Sequence, residues 1–292
     1  MKALTHPIAI RQLQGFAVYV SCTDDVELAM VPELGAKIVS LKNLRTGREW
    51  LWHPQGGLKL FKNPAGDAFA RSPLAGIDEC VPTILPCLWR GRDLPDHGEA
   101  WNVPWEVDRP ALESGVLRTS VPFKISPLLL TRSIEMHGNE VRLDYTLKNL
   151  SAADECFVWA IHPLLCLEPE DRLELPDSTR KLFNGEGWVD DVASAVPEKG
   201  HAKIFARAVS ESWAAVKNVL NGDRLEFSWD ASENDTLGLW LTRGGWHGHH
   251  HFAIETTNAS DDSLAAAAVG KHCGLIRANG TASWRLVLRV GE

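Results

Sequence analysis

Four stretches of the chain carry side chains able to move protons or hold a metal. In residues 157–165, FVWAIHPLL, one histidine, His162, closes an apolar strand-like run directly before Pro163. Proline cannot continue a backbone ladder and pushes the residue before it toward extended geometry, so His162 is predicted to project from a strand end. Imidazole titrates nearest neutrality, and the chemistry offered there is general acid/base transfer. In residues 252–256, FAIET, a carboxylate, Glu255, closes a second apolar strand. Desolvating it is costly unless it is paired or working. In residues 94–105, LPDHGEAWNVPW, His97 sits between Asp96 and Gly98, followed by Glu99, Trp101 and Trp105. The glycine admits a close approach of backbone and ligand, and the two indoles could wall a pocket. The fourth stretch, WHGHHH, supplies His247, His249, His250 and His251. Strand geometry sends neighbours to opposite faces and no HExxH spacing is present, so no metal is assigned. Blander readings stand beside each: a histidine among apolar residues is most often a satisfied core group, and DHG could be an exposed polar turn. A glutamate at a strand end is often merely solvated.

Such groups need a rigid sheet to bring them together, and the rest of the chain reads as one. Residues 27–31 and 36–42 read as two short strands punctuated by Pro32 and Gly35, residues 43–47 as a turn, and 48–52 as a returning strand. From 53 to 92 no period persists, which predicts a long, ordered, irregular connection. Residues 140–148, EVRLDYTLK, alternate cleanly with Val141, Leu143, Tyr145 and Leu147 on one face. A turn over 149–154 leads back through 156–162. Asn221-Gly222 is the strongest hairpin signal, and Leu225, Phe227 and Trp229 alternate after it. Residues 237–241, 252–255 and 284–290 complete the strands. Short helices are predicted only over 261–268 and 212–219. The pattern predicts an all-β fold, an antiparallel β-sandwich or barrel, and residues 1–292 as a single domain.

Composition narrows the partners. Thirty basic against thirty-eight acidic residues give a formal charge of -8, which disfavours a nucleic-acid backbone or an anionic membrane surface and favours a neutral small molecule. The apolar runs fall far short of the roughly 20 residues of a spanning helix, and the N-terminal segment lacks a cleavable apolar stretch. The expectation is a soluble, cytoplasmic protein. Six cysteines without a CxxC pair are read as reduced thiols. Twelve tryptophans against two tyrosines are unusual, and indole faces stack well on the C–H faces of sugar rings. No GxSxG, GxGxxG or GxxxxGK[ST] motif is present, so neither a serine-hydrolase elbow nor a nucleotide loop is indicated.

In order and spacing, GAKIVSLKNLRTGREWLW, DECVPTI, DHGEAW, WAIHP, AIETTNASDDSL and ANGTASWRLVLRV resemble the aldose 1-epimerase (galactose mutarotase-like) family over nearly the whole chain. The resemblance implies a large antiparallel β-sandwich that opens and recloses a cyclic sugar without metal or cofactor. It implies His162 as the general acid, Glu255 as the general base and His97 as the second active-site histidine. His162 must then be protonated while Glu255 is ionised, which gives two limbs in pH. The family's substrate-binding arginine has no secure counterpart: Arg71 lies in the right region, within FARSPLAG, and Asp78 and Glu79 of DECVPTI look like the local polar pair instead. Asp78, Glu79, Glu99, Trp101, Trp240 and Arg71 are the expected sugar contacts. A non-catalytic carbohydrate-binding or sensing β-sandwich is the alternative, and the HxH of His247 and His249 keeps a metal-dependent, cupin-like isomerase as a minor one. A homodimer is compatible with the sequence, which does not fix oligomeric state.

Overall fold

The structure is a computed structural model and describes residues 7–183 and 196–291. Two large antiparallel sheets face one another. The nine-stranded sheet has the spatial order Ala9–Leu13, Phe16–Cys22, Val26–Val31, Lys37–Asn43, Ile77–Cys80, Ala160–Pro163, His250–Thr257, Thr236–Arg243, His201–Ala206. The eight-stranded sheet runs Asp171–Glu174, Trp213–Asn218, Arg224–Trp229, Thr281–Gly291, Glu140–Asn149, Leu128–His137, Leu117–Pro122, Glu106–Val107. This is the β-sandwich the alternating sequence calls for. Glu140–Asn149 buries Val141, Leu143, Tyr145 and Leu147 against the opposite sheet, while intervening residues stay half-buried or exposed. The main core lies between the sheets, where Leu28, Met30, Ile38, Trp159, Ile161 and Ile254 meet Leu130, Leu143, Phe227, Leu286 and Leu288.

His250–Thr257 breaks the half-buried pattern, because every residue after His250 is buried. Both of its faces are covered: one by the opposing sheet, the other by the loops that contribute Phe69, His97 and Trp246 to a cavity over this strand. A strand covered on both sides reads as a near-continuous apolar run, which is why a polar residue in it carries information.

Several local readings change. Residues 212–219 are not helical: Trp213–Asn218 is a strand bonded on both sides, to Asp171–Glu174 and Arg224–Trp229. Alanines at 214 and 215 favour a helix locally, but two flanking ladders and burial of Ala214 and Val216 decide for strand. The predicted strand over 48–52 shrinks to isolated bridges, Lys42 with Glu49 and Leu51 with Leu165. The connection from 53 to 92 contains a 3-10 turn at Phe69–Arg71 and the strands Ile77–Cys80 and Cys87–Trp89. The 261–268 helix is present as Leu264–Val269, capped by Ser263, whose side chain accepts from the Ala266 N–H. Helices Arg109–Glu113 and Asp177–Leu182 were not anticipated. The turn carrying Asn221-Gly222 joins Trp213–Asn218 to Arg224–Trp229, with Gly222 at φ 80°. Among the described residues, no helix is long and apolar enough to cross a membrane.

Candidate functional site

Residues directly opposite each other in an antiparallel ladder point to the same side of the sheet. The Ala160↔Thr257 pair and the Leu165↔Phe252 bridge share one register, which sets His162 opposite Glu255. On its other side His162 is opposite Asp78, and Glu255 is opposite Gly238. Two residues further along, Ala253, Trp240 and Lys203 form the next row, with His251 beyond it on the same strand and face as Glu255. Two adjacent rows of one sheet thus assemble groups from five separate stretches of sequence.

His162, Lys203, Trp240, His251 and Glu255 form the floor of a cavity of about 280 Å³, walled by Phe69, Asp96, His97, Trp246 and Asp262. His162 Nε2 lies 3.8 Å from Glu255 Oε1, beyond hydrogen-bonding distance. Lys203 Nζ stands 2.8 Å from Glu255 Oε2 and 2.8 Å from Asp262 Oδ1. The wall is equally built. The His97 ring stacks on Phe69 with centroids 3.9 Å apart and meets His162 edge-on at 5.4 Å. Asp96 fixes both wall groups: Oδ1 lies 2.8 Å from His97 Nδ1, and Oδ2 accepts the Phe69 N–H at 2.8 Å. The turn that presents His97 depends on Gly98, at φ 78°, where a Cβ would lie 2.1 Å from the Val81 carbonyl oxygen. No other residue fits there.

The floor is also where hydrogen bonding is incomplete. Nδ1 of His162 and both ring nitrogens of His251 are buried without a partner, and Glu255 makes no hydrogen bond beyond its ion pair with Lys203. Each buried unpaired polar group costs about 1–3 kcal/mol. Their concentration at one concavity marks a surface suited to polar ligand groups.

Electrostatics follow from burial and a few charges. Burial pushes the His162 imidazole well below its ordinary range, and the positive charges of His97, Lys203 and Lys37 add to the effect. Burial likewise takes His251 down to about 3. For Lys203 burial opposes the charge, but Glu255 and Asp262 outweigh it and hold the ammonium above its usual range. Burial raises the Asp262 carboxyl, with Lys203 pulling the other way. Asp96 is partly desolvated, yet the hydrogen bond and charge of His97 keep its carboxyl below the usual range.

No family model matches the sequence, and neither does any curated protein. Solved structures do. A protein from Synechocystis sp. PCC 6803 superposes with a TM-score of 0.72 at 18% identity, covering 100% of this chain and 99% of that one. A protein from Klebsiella pneumoniae subsp. pneumoniae, provisionally named an aldose 1-epimerase, gives 0.74 at 17% identity over 97% of this chain and 83% of that one. A galactose mutarotase-like protein from Clostridium acetobutylicum gives 0.73 at 13% identity over 99% of each chain. The fold is galactose mutarotase-like.

In this mutarotase-like fold the sequence-predicted residues divide. His162, Glu255, His97 and Trp240 line one cavity. Asp78 shares the row with His162 but is fully buried and ion-paired with Lys37, outside the lining. Glu79 points the opposite way, into the sandwich, because adjacent strand residues alternate. There Arg132 Nη1 and Tyr145 Oη donate to its Oε1, each at 2.8 Å, and Trp159 Nε1 donates to its Oε2 at 2.9 Å. Glu99 accepts the backbone N–H groups of Lys124, Ile125 and Ser126 and so pins a loop instead of facing the cavity. Trp101 lies behind Phe69, edge-on at 5.2 Å, with its Nε1 donating to the Asp96 carbonyl at 2.9 Å. Arg71 is exposed and paired with Asp67. The four clustered histidines diverge: His247 and His250 are exposed, His249 is half-buried edge-on to Trp52, and His251 turns into the cavity floor.

Sequence reasoning missed Lys203, Asp262, Phe69 and Trp246, and took His251 only as a metal candidate. Two signals were present. Lys203 is a charge inside the strand HAKIFA, and His251 stands four residues before Glu255, hence on the same face of one strand.

Proposed function

We propose that the protein is an aldose 1-epimerase, a mutarotase interconverting the α and β anomers of a free, uncharged sugar. The observation that carries this reading is the approach of His162 to within 3.8 Å of Glu255 on the cavity floor. Opening a cyclic hemiacetal removes the proton of the anomeric hydroxyl, O1, and delivers one to the ring oxygen, O5. Both oxygens are bonded to the same carbon, so base and acid must stand close together without bonding each other. Glu255 takes the O1 proton as the C1–O5 bond breaks, and the His162 imidazolium protonates O5. After rotation about C1–C2, O5 attacks the other face of the aldehyde and the two proton transfers run in reverse. His97, edge-on to His162 and fixed by Asp96, is suited to hold a sugar hydroxyl at the wall, and Trp240 and Trp246 offer apolar faces for C–H groups. Lys203 is the one Lys or Arg lining the cavity among the described residues, and two carboxylates already bind it. That leaves no free cation for a phosphate and favours a neutral substrate.

NMR saturation exchange or polarimetry on a panel of freshly dissolved aldoses tests the reading. Wild type should accelerate anomer exchange, and Glu255→Gln should reduce the acceleration by about 10²–10⁴-fold, typical for one positioned acid or base. A sugar-binding or sensing protein without turnover is the second reading, favoured by the depressed proton affinity of His162. Binding across the panel without acceleration at any pH from 4 to 8 would replace the first reading with the second.

A further inference from the structure

The most unusual feature of the cavity is an ammonium divided between two carboxylates. Lys203 comes from the His201–Ala206 strand at the end of the nine-stranded sheet, two strands away from Glu255. The strand between them presents Gly238 directly opposite both Glu255 and Phe205. A Cβ at position 238 would sit 3.2 Å from the Phe205 ring and 3.3 Å from the Glu255 Cβ, so the position has space only for glycine without displacement. With no side chain at 238, the Lys203 Nζ, 5.3 Å from the Phe205 ring centroid, lies beside Glu255. Asp262 approaches the same nitrogen from the segment before the Leu264–Val269 helix.

Other groups bear on Glu255. His162 faces it from the neighbouring strand, with Asp78 and its partner Lys37 next in the row, and His97 stands beyond His162 at the wall. Cys80, fully buried, feels the Glu255 charge from the strand beyond His162, and His251 shares its strand. Of these, Lys203 alone contacts Glu255 as a cation, and Lys203 also bears on His162.

Resting on the mutarotase reading for its catalytic meaning, we propose that Lys203 and Asp262 act as a positioning pair that aims Glu255 at the sugar and balances the charge felt by His162. An ammonium has three donors and no acceptor. One donates to Asp262, the ion pair with the same nitrogen restrains the Glu255 carboxylate, and Asp262 cancels part of the charge that would otherwise repel a proton from His162. Without Asp262 the acid would be harder to charge; without Lys203 the base would lose its anchor.

The test reads His162 directly. Its pH titration is followed by ¹H–¹⁵N NMR in wild type, Lys203→Met and Asp262→Asn, alongside anomer exchange. Lys203→Met should move the His162 midpoint up and Asp262→Asn should move it down, each by about one pH unit, as expected for a charge placed several ångströms away. Lys203→Met should lower kcat by at least tenfold with a smaller change in KM, and Lys203→Arg should recover part of the loss. Opposite midpoint shifts support the pair even if no aldose is turned over, in which case only the mutarotase reading fails. Midpoints that stay put or move together, in variants folded by circular dichroism, overturn the proposal. Should Lys203→Met fail to fold, Asp262→Asn alone decides: a midpoint unchanged or raised rejects the pairing.

Discussion

Glu79 and Glu255 are glutamates of one sheet, exposed by 0% and 1%, and they lie on opposite faces of it. Glu79 faces the sandwich interior, where Arg132, Tyr145 and Trp159 satisfy both of its oxygens. Glu255 faces the cavity with an ion pair from Lys203, a histidine 3.8 Å away and no hydrogen bond to either oxygen. Burial is the same; completeness differs. A buried charge whose partners are all present serves the fold, whereas one left unfinished beside a cavity is free to interact with a ligand.

The sharpest way to break this contrast is to remove one partner on each side. Arg132→Met strands the Glu79 carboxylate inside the core and should cost about 3–5 kcal/mol of unfolding free energy, as for other broken buried pairs. Glu255→Gln keeps the shape, leaves Lys203 paired with Asp262, and should cost less than about 1 kcal/mol while removing exchange activity. Urea unfolding of both variants decides. Comparable destabilisation would mean that Glu255 is a structural charge as well.

Proton linkage gives a second, smaller test on the cavity side. His251 is held at about 3 in the fold against 6.5 unfolded, so above pH 6.5 neither state carries the proton and the group is silent. As pH falls, the unfolded chain takes a proton that the folded one refuses, and stability is lost. By pH 5 the loss from this group alone reaches about 2 kcal/mol. The stability difference between wild type and His251→Asn should therefore shift by that amount between pH 7 and pH 5, in favour of the variant. A constant difference would place His251 in water. His162 is depressed by the same cause, so kcat/KM should rise as pH drops below the ordinary imidazole range. The expected profile climbs toward the acid side of neutrality, and a plateau above pH 7 contradicts it.

What could be read from sequence tracks how local the determining forces are. Alternation in 140–148 announced its strand because the signal is carried by the strand itself. That His162, Glu255 and His97 line one cavity was to be expected from the order and spacing of several motifs taken together, since each stretch alone allows a blander reading. Glu79 was placed with the sugar since DEC offers two adjacent acids, and only the pairing of Ile161 with Glu79 and His162 with Asp78 tells which face each one takes. Lys203 and Asp262 were missed: a charge inside HAKIFA flags Lys203, but what the pair does arises from ladders joining distant segments and from the missing side chain at Gly238. The 212–219 error has the same origin: two flanking strands overrode what the alanines prefer.

Arg71 supplies the smallest expected effect and extends the contrast to a third kind of charge, one left in water. Its side chain is 72% exposed, it pairs with Asp67 within the same loop, and it is absent from the cavity lining. An exposed pair of this kind holds little energy, since solvent screens both charges. Arg71→Ala should change anomer exchange by less than about twofold, within what a surface substitution away from a site normally does. A rise in KM of tenfold or more would show that the Phe69–Arg71 turn folds over the bound sugar and delivers a cation from outside. In that event the cavity would have a second positive group besides Lys203, and the argument for an uncharged substrate would give way to one for an anionic sugar.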